Sequence, residues 1–265
     1  MSELNNLSDT VNYSFESGVG LIVLNRPNEY NAINGELLTT LLTIIDAASS
    51  DERVRALVLT GNGKAFSAGV DLKEASTTGG GLFGEGSMGP ESPLLVAFQN
   101  CKKPVIGAIN GFAVTGGLEL ALFCDFLYAA DTARFADTHA LVGLIPGWGL
   151  TQRFSRLVGI QRARELSFTG VYFSSQQAME WGMVNKVFTE DQLLDETLKA
   201  AELITDTVPV ALEKIKNMMN TGWEQDLGSA MSMEGAEANA FNSSADLSGM
   251  RERLKVLRKR AQSTI

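Results

Sequence analysis

Two segments hold the residue types on which chemistry at a carbonyl group could rest: Lys64–Lys73 (KAFSAGVDLK) and Asn110–Leu120 (NGFAVTGGLEL). Each ends a strand-like run with small residues and passes into a polar or helical stretch. Small side chains let a ligand approach the backbone, and the free N–H groups of a helix start favour negative charge. If the two loops face each other, two N–H donors can converge on one carbonyl oxygen and form an oxyanion hole. Glu119 in the second segment adds a carboxylate, and Phe135–Ala140 adds His139 with Asp137 two residues before it. An imidazole has an ordinary pKa of roughly 6.5 against about 4.3 for a glutamate, and it can still act as acid or base. Residues two apart share a face of an extended chain, so Asp137 could orient the ring if this stretch is extended. The spacing alone is equally compatible with two ordinary glycine turns and a structural histidine.

Other chemistries fit less well. Gly61-Asn62-Gly63-Lys64 lacks the spacing and the Ser/Thr of a phosphate-binding P-loop. Phe66-Ser67-Ala68-Gly69 resembles a nucleophile elbow, but Ala65 stands where that turn needs its first glycine. His139 is the sole histidine, and Cys101 and Cys124 are the only cysteines. That count argues against a metal site and a disulfide framework, and for a reducing cytoplasm.

The elements that must position these residues follow an α/β pattern. Leu21–Leu24, Ala56–Leu59, Val105–Ile109 and Phe126–Ala129 read as buried strands. Asn34 can cap a helix carrying Leu37, Leu38, Leu41, Ile44 and Ile45 at helical spacing. Beyond about Ser174 the strand signal fades, and Asp191–Thr205, Val210–Asn220, Gln225–Phe241 and Asp246–Gln262 read as amphipathic helices. Thr77–Pro90 holds six glycines in fourteen residues and reads as a mobile lid loop.

The chain's 265 residues suit one large domain, or one domain with a C-terminal extension, at 45% hydrophobic and 20% charged residues. A net charge of −9 argues against general affinity for nucleic acid or anionic lipid. The local exception is the tail, where Arg251, Arg253, Lys255, Arg258, Lys259 and Arg260 are opposed only by Glu252. That tail is either a solvated helix face or a phosphate-binding surface. Met1–Thr10 does not read as a signal peptide, and Asn110, Glu119 and Asp125 break the most apolar stretch before it could span a bilayer.

Taken together, the two loops resemble the signature segments of the crotonase (enoyl-CoA hydratase/isomerase) superfamily. The likeness extends through Leu24-Asn25-Arg26-Pro27, Asn31–Asn34, Phe135, Gly143, Ile145-Pro146-Gly147, Thr151-Gln152-Arg153, Gly170 and Ala178–Val187, covering roughly Val11 to Arg260. The resemblance implies a spiral of ββα units with two stacked sheets, an acyl-CoA-binding core over residues 1–190, and a helical oligomerisation region over 191–265. It implies homotrimers or pairs of trimers, and no cofactor beyond the coenzyme A of the substrate. Residue by residue, it makes the backbone N–H groups of Val70 and Gly116 the oxyanion donors. It lays the coenzyme A along the segment of Ala65, Ala68, Asp71, Leu72 and Lys73, with Ala68 and Lys73 the foremost contacts, counts Gly117 and Trp148 among the substrate-binding residues, and turns Arg26 and the basic tail towards the phosphates.

The chain departs from the family at two positions. Family hydratases carry one glutamate in the second loop, kept here as Glu119, and another twenty residues later, where this chain has His139. Trp148, between Gly147 and Gly149, stands where hydratases usually have a small residue, which implies a narrower pocket. The implied activity is addition of water across a 2,3-enoyl-CoA double bond, with Glu119 positioning or deprotonating the water and His139 assisting proton delivery. Double-bond isomerisation and thioester hydrolysis are the other chemistries the same residues would support. Binding of acyl-CoA without turnover is the alternative from another class.

Overall fold

The computed structural model describes residues 7–77, 86–245 and 247–263. Within the glycine-rich stretch read as a lid, residues 78–85 lie outside the described residues.

The chain opens with β1 (Val11–Glu16), β2 (Val19–Leu24) and α1 (Gly35–Ser50), then β3 (Ala56–Gly61), β4 (Ala65–Ser67), α2 (Leu72–Thr77) and α3 (Pro93–Asn100). There follow β5 (Val105–Ile109), β6 (Phe112–Val114), α4 (Gly116–Ala121), β7 (Phe126–Ala130), β8 (Arg134–Ala136), α5 (His139–Val142), α6 (Leu150–Val158) and α7 (Ile160–Thr169). The last elements are β9 (Phe173–Ser174), α8 (Ser175–Glu180), β10 (Lys186–Phe188), α9 (Glu190–Thr205), α10 (Pro209–Trp223), α11 (Leu227–Ser243) and α12 (Met250–Ser263).

Two sheets result, one of six strands in the order β1-β2-β3-β5-β7-β10 and one of four in the order β4-β6-β8-β9. The strand pairs β3–β4, β5–β6 and β7–β8 each send one strand to either sheet before the chain turns helical, which is the repeating ββα spiral. Apart from the antiparallel pairs β1–β2 and β8–β9, the ladders are parallel. Parallel strands are covered on both faces, and β5 is accordingly buried at every residue.

Local chemistry sets the helix starts. Asn34 caps α1 by accepting the Leu37 N–H at 2.9 Å, and Leu37, Leu41, Ile44 and Ile45 form its buried stripe. The short strands β4, β6 and β8, and β10 beyond Ser174, gave no sequence signal because three residues cannot establish a period. Helix α9 packs against β2, β3, β5, β7 and β10. The first compact unit therefore runs through Thr205, and the second comprises Asp206–Ile265. In that second unit α10 packs on α11, joined by the Lys214–Glu237 ion pair at 2.7 Å, yet neither helix contains a buried residue. Among the described residues no helix is long and apolar enough to cross a membrane. Cys101 and Cys124 are buried and are not joined in a disulfide.

Candidate active site

The first loop leaves β4 through Ala68 and Gly69. Gly69 adopts φ +90°, a conformation that L side chains rarely take, and a Cβ there would lie 2.8 Å from the Gly116 nitrogen. Ile33 brackets the next residue, donating its N–H to the Gly69 carbonyl at 2.7 Å and accepting that of Asp71 at 2.9 Å. Val70 sits between these two bonds. The Ser67 hydroxyl donates to the Asn31 carbonyl at 2.8 Å and accepts from the Gly69 N–H at 3.1 Å, so it serves the turn rather than a nucleophilic triad. Asn31, which sequence reading noticed only as part of a motif, is fully buried and braces the same region, with Nδ2 donating to the Asn62 and Ala65 carbonyls at 3.0 and 2.7 Å.

The second loop leaves β6 at Thr115, whose φ of 56° and ψ of −118° are exceptional for a β-branched residue and cost on the order of 1–3 kcal/mol. The surroundings impose this conformation. The Thr115 N–H donates to the Ala136 carbonyl at 2.9 Å, its carbonyl accepts the N–H groups of Leu118 and Glu119, and its hydroxyl pairs with that of Thr138. Gly116 thereby opens α4 directly against the first loop: a Cβ on Gly116 would stand 3.3 Å from the Gly69 Cα and 3.4 Å from the Val70 nitrogen. Neither the Val70 nor the Gly116 N–H donates to a protein acceptor among the described residues. Gly117 is required beneath them, because a Cβ there would collide with the Ser67 carbonyl.

One turn into α4, the Glu119 side chain is 3% exposed. Its Oε1 accepts the backbone N–H groups of Trp148 at 2.8 Å and Leu150 at 3.2 Å, while Oε2 lies 3.5 Å from His139 Nε2. On the other side of the ring, Nδ1 meets Asp137 Oδ1 at 2.7 Å. Strand β8 leads into this pair, and it is anchored by Phe135 stacked on Phe173 with ring centroids 5.4 Å apart. The stretch is not extended as the sequence suggested. Thr138 turns the chain (φ −105°, ψ 13°) and His139 begins α5. Asp137 reaches the ring by folding its carboxylate forward, where the same oxygen also accepts the His139 backbone N–H at 3.2 Å.

Burial by itself would depress the His139 pKa. The hydrogen bonds and negative charges of Asp137 and Glu119 outweigh it and hold the ring at about 9, rather than near the ordinary histidine value. Burial likewise works against the Asp137 carboxylate, but the bonds from His139 and the influence of Ser167 prevail and its pKa is lowered.

These groups share one cavity of about 110 Å³. Ala68, Val70, Leu72, Gly116, Glu119, His139 and Trp148 line it, together with Thr115 and Thr138. Met88, Val142 and Leu144 supply apolar wall that the sequence did not single out, and Val114 of β6 and Ile145, noted only within motifs, complete it. Trp148 is 2% exposed and donates its indole N–H to the Ser87 carbonyl at 3.0 Å. Ala65, Asp71, Lys73, Gly117 and Arg26 do not line the cavity. Arg26 donates to Asp71 Oδ2 at 2.9 Å and to the Ala32 carbonyl, and Asp71 also accepts the Lys73 and Glu74 N–H groups that open α2. Lys73 is exposed. In the tail, Lys255 pairs with Glu252 at 2.7 Å and Arg260 with Asp206 at 3.1 Å.

The sequence and fold have close counterparts among characterised families. The enoyl-CoA hydratase/isomerase family model matches residues 14–260. A probable peroxisomal enoyl-CoA hydratase 1 of Arabidopsis thaliana is 38% identical over 226 residues, covering 85% of this chain and 84% of that protein. The short-chain-enoyl-CoA hydratase of Clostridium acetobutylicum is 37% identical over 223 residues, 83% and 84% of the two chains. The crystal structure of an enoyl-CoA hydratase from Bacillus anthracis superposes with a TM-score of 0.81 at 33% identity, over 92% of this chain and 96% of that one. The chain belongs to the enoyl-CoA hydratase/isomerase family of the crotonase superfamily.

Proposed function

We propose that the protein hydrates 2-enoyl-CoA thioesters. The observation that carries this reading is the pair of uncommitted N–H groups on Val70 and Gly116, set in the same cavity as the Glu119 carboxylate. A thioester oxygen between the two donors is polarised, and conjugation passes that electron deficiency to C3 of the acyl chain. Glu119 takes a proton from water as the water oxygen attacks C3, and the displaced electron pair becomes an enolate held by the two donors. His139 then gives its Nε2 proton to C2. Return of the proton from Glu119 Oε2 to His139 Nε2, 3.5 Å away, completes the cycle with one water added and no group left charged differently.

The coenzyme A segment along Ala65–Lys73 belongs to the same proposal, with Ala68 and Leu72 reaching the cavity wall. So does association of subunits through the C-terminal helices: α10 and α11 contain no buried residue, and Val210, Met219, Trp223, Leu227 and Met231 are each more than half exposed (56–76%). A cytoplasmic setting agrees with two buried cysteines that form no disulfide. The activity is tested by incubating the protein with crotonyl-CoA and longer 2-enoyl-CoAs, following the conjugated-thioester absorbance and identifying products by mass. Hydration is expected. A shifted double bond at unchanged mass would make the protein an isomerase, free coenzyme A a hydrolase, and binding without any product a non-catalytic carrier.

A further inference from the structure

Two carboxylates approach the His139 ring, one at each nitrogen: Asp137 Oδ1 at 2.7 Å from Nδ1 and Glu119 Oε2 at 3.5 Å from Nε2. An ionised carboxylate only accepts, so the short bond fixes a proton on Nδ1. A neutral ring would then turn a bare Nε2 lone pair towards Glu119, and only the ring carrying both protons satisfies both sides. We propose that Asp137 is a positioning residue for hydration: it holds His139 by Nδ1, so that Nε2 is kept protonated and aimed into the cavity beside Glu119.

The inference rests on the hydratase reading for its consequence in catalysis, but its geometric content stands apart from it. Asp137 is buried, and its Oδ1 is doubly engaged by His139, through the ring and through the backbone N–H at 3.2 Å. Ser167 of α7 acts on the same carboxylate in the same direction as His139, favouring its charged form. The charged groups facing the ring are thus Glu119 from α4 and Asp137 from the turn after β8, with Ser167 as the polar contribution of α7. Where a second glutamate would have to be protonated to serve as an acid, this arrangement keeps a charged imidazolium ready across the neutral range. Its proton is replaced from Glu119 in each turnover.

Because His139 is the only histidine in the chain, its imidazole nitrogens and protons can be followed by NMR without ambiguity. In the wild type the ring should titrate near pH 9, with Nδ1 protonated on both sides of the transition. Asp137→Asn should lower that titration by about one unit or more, a tenfold weaker hold on the proton. The alkaline limb of kcat should fall by the same amount, while KM for crotonyl-CoA changes less than about threefold. Ser167→Ala, a milder change should the first variant fold poorly, should move both readouts in the same direction by less. An unmoved imidazole titration in either folded variant, or a moved titration with an unmoved kcat profile, overturns the proposal. A wild type that hydrates nothing yet keeps its imidazolium to pH 9 would remove the hydratase reading and leave the Asp137–His139 relation intact.

Discussion

Glu119 Oε2 and His139 Nε2 stand 3.5 Å apart, although one side chain rises from the first turn of α4 and the other from the first residue of α5. Glu119 is fixed by two backbone N–H groups on its far oxygen and His139 by Asp137 on its far nitrogen, so the two near atoms face each other under constraint from both sides.

Glu119→Gln tests the base. The amide oxygen can keep the bonds from Trp148 and Leu150, and the fold should persist, but the charge is lost and an NH2 group is turned towards Nε2. Turnover should fall by at least about 10²-fold, the lower span for a general base, with coenzyme A binding retained. Full activity in the folded variant would leave only mechanisms resting on His139 alone.

Val70→Pro removes one oxyanion donor without altering charge. Since that N–H has no protein acceptor among the described residues, no internal hydrogen bond is sacrificed. A loss of about 10²–10³ in kcat is expected, the usual cost of one donor. Unchanged kcat in a variant with native circular dichroism would exclude Val70 from the hole.

His139 also gives stability a pH dependence of known sign. Its pKa of about 9 in the folded chain lies above the ordinary 6.5, so folding favours the protonated ring. The contribution is complete below about pH 6.5 and is lost as pH rises through 9; its ceiling is about 3 kcal/mol. Urea unfolding of the wild type and His139→Ala should therefore differ most at pH 6 and converge by pH 10. A gap independent of pH would show that packing, not charge, accounts for the difference.

Arg26 is committed to Asp71 and the Ala32 carbonyl, in a pair whose side chains are 16% and 11% exposed. Arg26→Gln should cost about 1.5–3 kcal/mol in stability, the span for hydrogen bonds to charged groups, and should change coenzyme A affinity less than about threefold. A tenfold loss of affinity at unchanged stability would assign the guanidinium to the phosphates instead.

The sequence made several long elements legible, left β1, α6 and α7 unread, and blurred the short ones. Val105–Ile109 and the Asn34-capped helix announce themselves by apolar runs and spacing, while the three-residue strands β4 and β6, which end in the oxyanion loops, do not. The two loops were visible because close approach demands small residues, as the Gly117–Ser67 contact requires. The contact between Asp137 and His139 was suggested by their spacing, but an extended strand was the wrong reason. The turn at Thr138 makes it, and no periodicity encodes a single turn. The direction of the histidine's titration was hidden as well, because it depends on Glu119 arriving from another helix. Thr115 gave no sign of its strained backbone, which the Ala136 and Thr138 contacts impose only after folding.

Water addition by this site is tested most directly with crotonyl-CoA in 18O-labelled water, comparing the wild type with Glu119→Gln. The account predicts that the wild type yields 3-hydroxybutyryl-CoA carrying one labelled oxygen on the acyl chain, and that the variant yields no more than about a hundredth as much at equal folded concentration. Crotonyl-CoA recovered unchanged from the wild type, or label found in a free carboxylate instead of the hydroxyacyl thioester, would contradict it.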